Sequence, residues 1–268
     1  LKKEIQALGR TPRLDVILAG ADPASAAYVK RKQAFGESIG ADVAVHSVLE
    51  DAYSDSIAFI ALVESVVQNP ATDGVIVQLP LPESLRTHTR SVLDAIPPEK
   101  DADCLSSDAV KRFASGKGVV RPPLVGVVDE IFRRYHIDIR GKRIALVGAT
   151  GELVGKPLTL WFSSRGISFF AITIETPPEK MREILKDADI IISGVGKAGL
   201  ITADMVKEDV IAIDAGTSGT SGALKGDMDP AIAEKAALFT PVPGGVGPIT
   251  VAMLFKNLIT LANKSKGS

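Results

Sequence analysis

Cysteine is almost missing from this chain: Cys104 stands alone among 268 residues. An internal disulfide is thereby excluded, and a reducing, cytoplasmic setting is expected. Net charge is also missing. The 31 lysines and arginines against 32 aspartates and glutamates leave a formal charge of -1. That balance lacks the basic excess with which a nucleic-acid surface neutralises phosphates. No apolar run approaches the roughly 18 to 20 residues of a membrane span. Neither nucleic acid nor membrane is therefore expected as a partner, and no metal site is read from the sequence. What is present is ordinary globular material, 46% hydrophobic and 24% charged. It suffices for one large domain or two modest ones.

Short apolar runs alternate with helical stretches. Leu14 to Gly20 reads as a buried strand, and Asp22-Pro23 as the cap and first residue of a helix that stops at Gly40. Ala41 to Val48 reads as a second strand, Ile57 to Val67 as a helix, and Asp73 to Pro82 holds a third strand ended by prolines. This βα succession favours a parallel sheet with helices on its faces. A turn-rich stretch follows from Pro97-Pro98 to about Pro123. A helix over Leu124 to His136 then introduces a second series. Its strands are expected at Arg143 to Ala149, Ser168 to Thr173, Asp189 to Ser193 and Val210 to Asp214. An amphipathic helix from Ile249 to Asn263 ends the pattern, with Val251, Leu254, Leu258 and Leu261 on one face.

Three strand ends in the second half are rich in glycine. Gly148-Ala149-Thr150-Gly151 leads through Val154 to Gly155, Ile192 to Gly199 is similar, and Ile213 to Gly219 includes Thr217. Glycines at a strand end let the backbone approach a pyrophosphate, whose charge suits a following helix N-terminus. The first of these is no clean GxGxxG, and a tight βα turn would use the same glycines. In the first half, Tyr28 and Lys32 lie four apart on one helix face. From spacing alone they read most simply as part of a solvated basic face with Lys30 and Arg31. Gln78 ends a strand, and Asp101 and Asp103 in Lys100-Asp101-Ala102-Asp103 read as turn-forming residues.

Taken together and in order, these stretches resemble the methylenetetrahydrofolate dehydrogenase/cyclohydrolase family, the FolD type. AGADPASAAYVKRK resembles its G-x-D-P-A-S-x-x-Y-V-x-x-K signature, DGVIVQLPLP its G-I-x-V-Q-L-P-L-P, and KDAD its K-D-V-D. LVGKP matches the end of its G-R-S-x-x-V-G-x-P loop, and PVPGGVGPITVAML its P-G-G-V-G-P-M-T block. The resemblance implies an α/β protein of two domains with a cleft between them. Residues 1–123 plus 249–268 would form a parallel-sheet, folate-binding catalytic domain, to which the last helix returns. Residues 124–248 would form a Rossmann-like dinucleotide-binding domain. It further implies catalytic roles for Lys32, Gln78 and Asp103, with Asp103 bonded to the pterin and far more sensitive to alanine than Asp101. Tyr28 would stack on the folate, and Pro243, Gly244, Gly245 and Val246 would line its pocket. Gly148, Ala149, Thr150, Gly151, Gly155 and Thr217 would hold the nucleotide, the turn offering its backbone N–H groups to the pyrophosphate. The activity implied is oxidation of 5,10-methylenetetrahydrofolate followed by hydrolysis to 10-formyltetrahydrofolate, by a homodimer serving one-carbon and purine metabolism.

The departures gather at the nucleotide. Ala149 and Thr150 replace the family's arginine and serine, and Ile172 to Thr176 replaces C-H-S-x-T. The family's arginine and serine, neither of them kept, would contact the 2′-phosphate of NADP, whereas an acidic residue such as Glu175 suits NAD. NADP is expected as the family's cofactor, with NAD as the alternative and Lys156, Arg165 or Lys197 as replacement cations. Arg121-Pro122-Pro123-Leu124 replaces the P-C-T-P segment, and Cys104 replaces a glycine. A cyclohydrolase with weak or NAD-shifted dehydrogenase activity, and a non-catalytic nucleotide-binding protein, are the competing readings. Retention of Tyr28, Lys32, Gln78 and Asp103 together speaks against the last.

Overall fold

The chain opens with a short helix, α1 (Lys2–Leu8), whose Ile5 and Leu8 are buried. β1 (Arg13–Ala19) is next, then α2 (Pro23–Ile39), β2 (Asp42–Val48), α3 (Ser56–Gln68) and β3 (Gly74–Val77). The polar residues between these elements place their ends. Asp22 accepts a hydrogen bond from the Ser25 amide at 2.7 Å and Pro23 presets the first turn of α2. Asp55 caps α3 through the Ala58 amide at 2.9 Å. The strands pair in the order β2-β1-β3, all parallel, with apolar clusters on the two faces of the sheet. Three further helices follow: α4 (Glu83–Arg86), α5 (Thr89–Asp94) and α6 (Ser107–Ala114).

The second series begins with α7 (Pro123–Arg134) and β4 (Ile144–Val147), followed by α8 (Gly155–Ser164), β5 (Phe170–Ile172) and α9 (Pro178–Asp187). β6 (Ile190–Ser193), β7 (Ile211–Asp214) and β8 (Leu238–Thr240) complete a parallel sheet of order β5-β4-β6-β7-β8. Its register aligns Val147 with Ile172 and Ser193, and Ser193 with Asp214. The carboxyl ends of four strands therefore stop in one row, where ligands of open α/β sheets bind.

A last helix, α10 (Val246–Lys264), follows β8. The computed structural model describes residues 1–219 and 224–264, and it divides into two units. Unit 1 is Leu1–Pro123 with Val251–Ser268, and unit 2 is Leu124–Thr250. α10 is apolar and long enough to cross a membrane by composition. Its Leu254, Phe255, Leu258, Ile259, Leu261 and Ala262 instead pack with Leu8, Leu14, Val16 and Ile76 in the core of unit 1. Asn257 on the same helix donates to the carbonyls of Ala102 at 2.8 Å and Arg121 at 2.7 Å. The returning helix is thus part of the first sheet's cover.

The stretch read as turn-rich contains α6, and α4 and α5 precede it. Helices of four to eight residues are too short to display a helical period. β8 likewise lies outside the strands expected from the sequence, being three residues long, and α10 starts at Val246 rather than Ile249.

Phe255 is fully buried, 5.4 Å from the ring of Phe35, and leaves no space for a side chain at Gly36, where a Cβ would lie 2.8 Å from its ring. Phe255→Ala should cost about 3 to 5 kcal/mol. The check is the denaturation midpoint of unit 1; a loss under about 1 kcal/mol would contradict the placement of this helix in the core.

Candidate active site

On α2, Lys30 and Arg31 are exposed, whereas Tyr28 and Lys32 are half-buried. The helix thus separates the three basic residues that sequence spacing groups together. Arg31 lies 5.5 Å from the centre of the Tyr28 ring. Lys32 Nζ donates to Gln78 Oε1 at 2.8 Å. Gln78 is the first residue beyond β3; its backbone amide donates to the Ile17 carbonyl at 2.8 Å and its Nε2 to the Leu79 carbonyl at 2.7 Å. With its Nε2 so committed, Gln78 can only present its oxygen to the lysine.

Asp103 is placed by the loop that runs beside β3. The Val75 amide donates to the Lys100 carbonyl at 2.7 Å, and the Ala102 amide to the Val75 carbonyl at 3.3 Å. Lys100 Nζ donates to the carbonyls of Val67 at 2.6 Å and Asn69 at 3.0 Å, which closes the end of α3. Burial lowers the pKa of Lys32, opposed by the negative charge of Asp103. Burial raises that of Asp103, opposed by the positive charge of Lys32. Among the described residues nothing donates a hydrogen bond to the Asp103 carboxylate. The structure therefore brings Lys32, Gln78 and Asp103 together, with Tyr28 one helical turn from the lysine. An amine whose charged form is disfavoured, beside an open carboxylate and a neutral amide, is suited to proton transfer.

Asp101 corrects the expectation of a mere turn former. It is buried, and its Oδ2 accepts from the Leu105 amide at 2.9 Å, the Ser106 amide at 2.7 Å and the Ser106 hydroxyl at 2.7 Å. It is the knot that ties the loop carrying Asp103. Cys104 is buried with φ 55, a conformation that glycine adopts with less strain, and so bears a cost that the family's glycine avoids.

In unit 2, Gly148 ends β4 with φ 81, a value that favours glycine. A Cβ on Gly155 would lie 2.0 Å from the Gly148 carbonyl, so α8 starts directly against the turn. The turn's amides are less free than expected. Those of Gly148 and Ala149 donate to the Ile172 carbonyl at 2.9 and 3.1 Å, and that of Gly151 to the Gly148 carbonyl at 3.0 Å. At the start of α8 the N-cap Val154 supplies no side-chain cap, the Lys156 amide donates to the Gly151 carbonyl at 2.9 Å and Pro157 has no N–H, so the Gly155 amide is what the first turn leaves for an anion. Thr150 is exposed, as is Thr217 beyond β7. Beyond β5, Thr173 Oγ1 donates to Glu175 Oε2 at 2.5 Å and Thr176 Oγ1 accepts from the Thr173 amide at 3.0 Å, a closed turn that leaves Ile174 96% exposed. Of the candidate cations, Lys156 pairs with Glu152 and Arg165 lies 5.0 Å over the Trp161 ring. Lys197 is exposed and makes no ion pair among the described residues.

Pro243, Gly244 and Gly245 also belong to unit 2, between β8 and Val246, the buried first residue of α10. Val242-Pro243 is a cis peptide, Gly244 has φ 104, and the Gly245 amide donates to the Pro241 carbonyl at 2.8 Å.

Residues 1–103 match the family model of the tetrahydrofolate dehydrogenase/cyclohydrolase catalytic domain, and residues 124–266 that of its NAD(P)-binding domain. The bifunctional protein FolD of Nautilia profundicola is 40% identical over 267 residues, covering 98% of this chain and 92% of its own. The crystal structure of the bifunctional enzyme FolD from Campylobacter jejuni superposes with a TM-score of 0.89 at 33% identity, covering 98% of this chain and 93% of that one. That of the Trypanosoma brucei enzyme, complexed with NADP cofactor and inhibitor, gives 0.91 at 30% identity over 100% of this chain and 93% of that one.

The Asp101 knot predicts a pH signature. Burial pushes its carboxyl up from 3.8 to about 6. The folded state therefore holds this proton more tightly than the unfolded state does. The resulting stabilisation is fully present below pH about 4 and is lost as the pH rises through about 6. Asp101→Asn keeps an acceptor and cannot titrate, so over that window the wild type should lose stability that the variant retains; parallel pH-stability curves would contradict this. Asp101→Ala should cost about 2 to 5 kcal/mol of stability by leaving two buried amides unpaired.

Proposed function

The chain belongs to the tetrahydrofolate dehydrogenase/cyclohydrolase family, and we propose that it oxidises 5,10-methylenetetrahydrofolate to the methenyl form and then hydrolyses that to 10-formyltetrahydrofolate. The observation that carries this reading is the hydrogen bond from Lys32 to Gln78 beside Asp103. The dinucleotide supplies the hydride acceptor, and the protein's part in that step is to hold two flat rings in register. Tyr28 stacks on the folate, and Asp103 accepts from adjacent N–H groups of the pterin. Pro243, Gly244, Gly245 and Val246 are carried over from the family's motif as further folate contacts. In the second step water adds to the methenyl carbon, Lys32 takes one of its protons, and the C–N bond opens as the other proton passes to the departing nitrogen and the carbonyl forms. The substrate's positive charge depresses the lysine's pKa further, and Gln78 steadies the amine without adding charge. The enzyme acts as a cytoplasmic homodimer, as family resemblance and the single cysteine suggest, without nucleic acid or membrane. Its formyl product is a one-carbon donor of the kind purine synthesis uses.

NADP is the dinucleotide carried over from the family, held by the turn from Gly148 to Gly151, the start of α8 at Gly155, and Thr217. One observation favours NAD as a second reading. Glu175 lies three residues beyond β5 and its carboxylate accepts from Thr173 Oγ1, and an acidic residue near such a strand end suits the ribose hydroxyls of NAD.

Assays with methylenetetrahydrofolate and each dinucleotide test the reading directly, since a protein that turns over neither would refute it. Lys32→Met should lower hydrolysis of the methenyl substrate at least about 100-fold while the fold is kept. Asp103→Ala should lose both activities through the folate KM. Near-normal hydrolysis by the lysine variant would remove Lys32 from the mechanism. Glu175→Gln should raise the NADP-to-NAD ratio of kcat/KM about fivefold, the effect of one charge at a solvated contact; an unchanged ratio would show that Glu175 does not face the 2′ position.

A further inference from the structure

The loop that follows β6 is wrapped around a carboxylate from elsewhere in the chain. Asp227 is fully buried and accepts from the Ser193 hydroxyl at 2.7 Å and from three successive amides, Val195 at 2.7 Å, Gly196 at 2.9 Å and Lys197 at 2.7 Å. It makes no ion pair among the described residues. Successive amides of this kind form an anion-binding nest, and here the anion is internal. A phosphate therefore cannot use them.

Two glycines make the room. A Cβ on Gly216 would lie 2.1 Å from the Asp227 carboxyl carbon, and one on Gly226 would lie 2.0 Å from Asp214 Oδ2. Asp214, at the end of β7, grips the same segment from the other side. Its Oδ1 accepts from the amides of Gly216 at 3.0 Å and Asp227 at 3.2 Å, and its Oδ2 from that of Met228 at 2.9 Å. The loop so held then sets the neighbouring turn. A Cβ on Gly148 would lie 3.0 Å from the Gly194 carbonyl, and one on Gly194 would lie 2.3 Å from Val154 Cγ1. Asp227 thus acts through one layer of packing on Gly148 and on the residue that precedes α8.

We infer that Asp227 is the positioning residue of the dinucleotide site: it holds loop 194–197 against the turn before α8, so that dinucleotide affinity depends on it and folate chemistry does not. This rests on the proposal that unit 2 takes a dinucleotide. The two steps of the reaction provide the control, because hydrolysis of the methenyl substrate consumes no dinucleotide. Asp227→Asn keeps the shape, removes the charge and turns a donor toward an amide. Gly216→Ala keeps the charge and displaces the carboxylate.

In each variant the Kd and KM for the dinucleotide should rise at least about tenfold, with kcat at saturating dinucleotide and hydrolysis of the methenyl substrate within about twofold of wild type. Ser193→Ala removes one donor of four and should shift the dinucleotide KM in the same direction by less. It decides the matter if the other two variants do not fold, an unchanged KM then overturning the inference. Dinucleotide affinity within about twofold of wild type in Asp227→Asn, or a loss of hydrolysis equal to the loss of oxidation, would likewise overturn it and leave Asp227 a support of the fold alone. A wild-type protein that hydrolyses the methenyl substrate yet binds neither NAD nor NADP would refute the dinucleotide reading itself, and the inference with it.

Discussion

A carboxylate buried without a cation is tolerable only where enough N–H and O–H groups surround it. Among the described residues three aspartates meet that condition at or beyond the carboxyl ends of strands. Asp101 gathers the loop after β3, while Asp214 and Asp227 gather the segments after β6 and β7. Each satisfies several backbone groups that would otherwise need water. Each also fixes the course of a loop that carries a candidate site residue. At the amino end of the first sheet a fourth buried aspartate, Asp15, is treated differently. There Arg13, His46 and Thr72 supply the donors, and the cluster closes the sheet's floor.

These arrangements explain what can be read from the letters and what cannot. The face of Val251, Leu254, Leu258 and Leu261 declares itself by its period, and α10 buries the three leucines while Val251 packs at the margin. The parallel sheets follow from alternating strands and helices, and the caps at Asp22 and Asp55 work locally. Lys32 and Gln78 are different: they stand 46 residues apart. Their meeting depends on strand order, and sequence pattern reaches them only through the family's motifs. Asp101 and Asp103 are nearly adjacent and chemically identical, yet one is consumed by amides and the other is open. Which is which depends on backbone direction. The same limit applies to Asp227, which in Gly226-Asp227-Met228-Asp229 looks like any turn aspartate. It applies too to the amides of Gly148 and Ala149, taken by a carbonyl of the neighbouring strand.

The two chemical steps ask different things of the protein. Hydride transfer needs alignment, which favours rigid loops at the end of a sheet. Hydrolysis needs a proton carrier that is neither firmly charged nor firmly neutral. For Lys32, the carrier proposed above, burial lowers the pKa and the charge of Asp103 opposes that shift. A lysine in water would hold its proton too tightly, and one buried alone would give it up too early. Gln78, as a neutral acceptor, binds the amine without tipping that balance.

The route of the chain has a consequence for how the molecule is made. Unit 2 is one unbroken stretch, whereas the core of unit 1 waits for Leu254, Phe255 and Leu258 from the final helix. During translation the segment that begins first therefore completes last. A ribosome must deliver the chain as far as Ala262 before the first sheet can cover one of its faces, while residues 124–250 are all made sooner. Until then that face stays exposed, and the nascent chain must shield it by transient collapse or with help from chaperones.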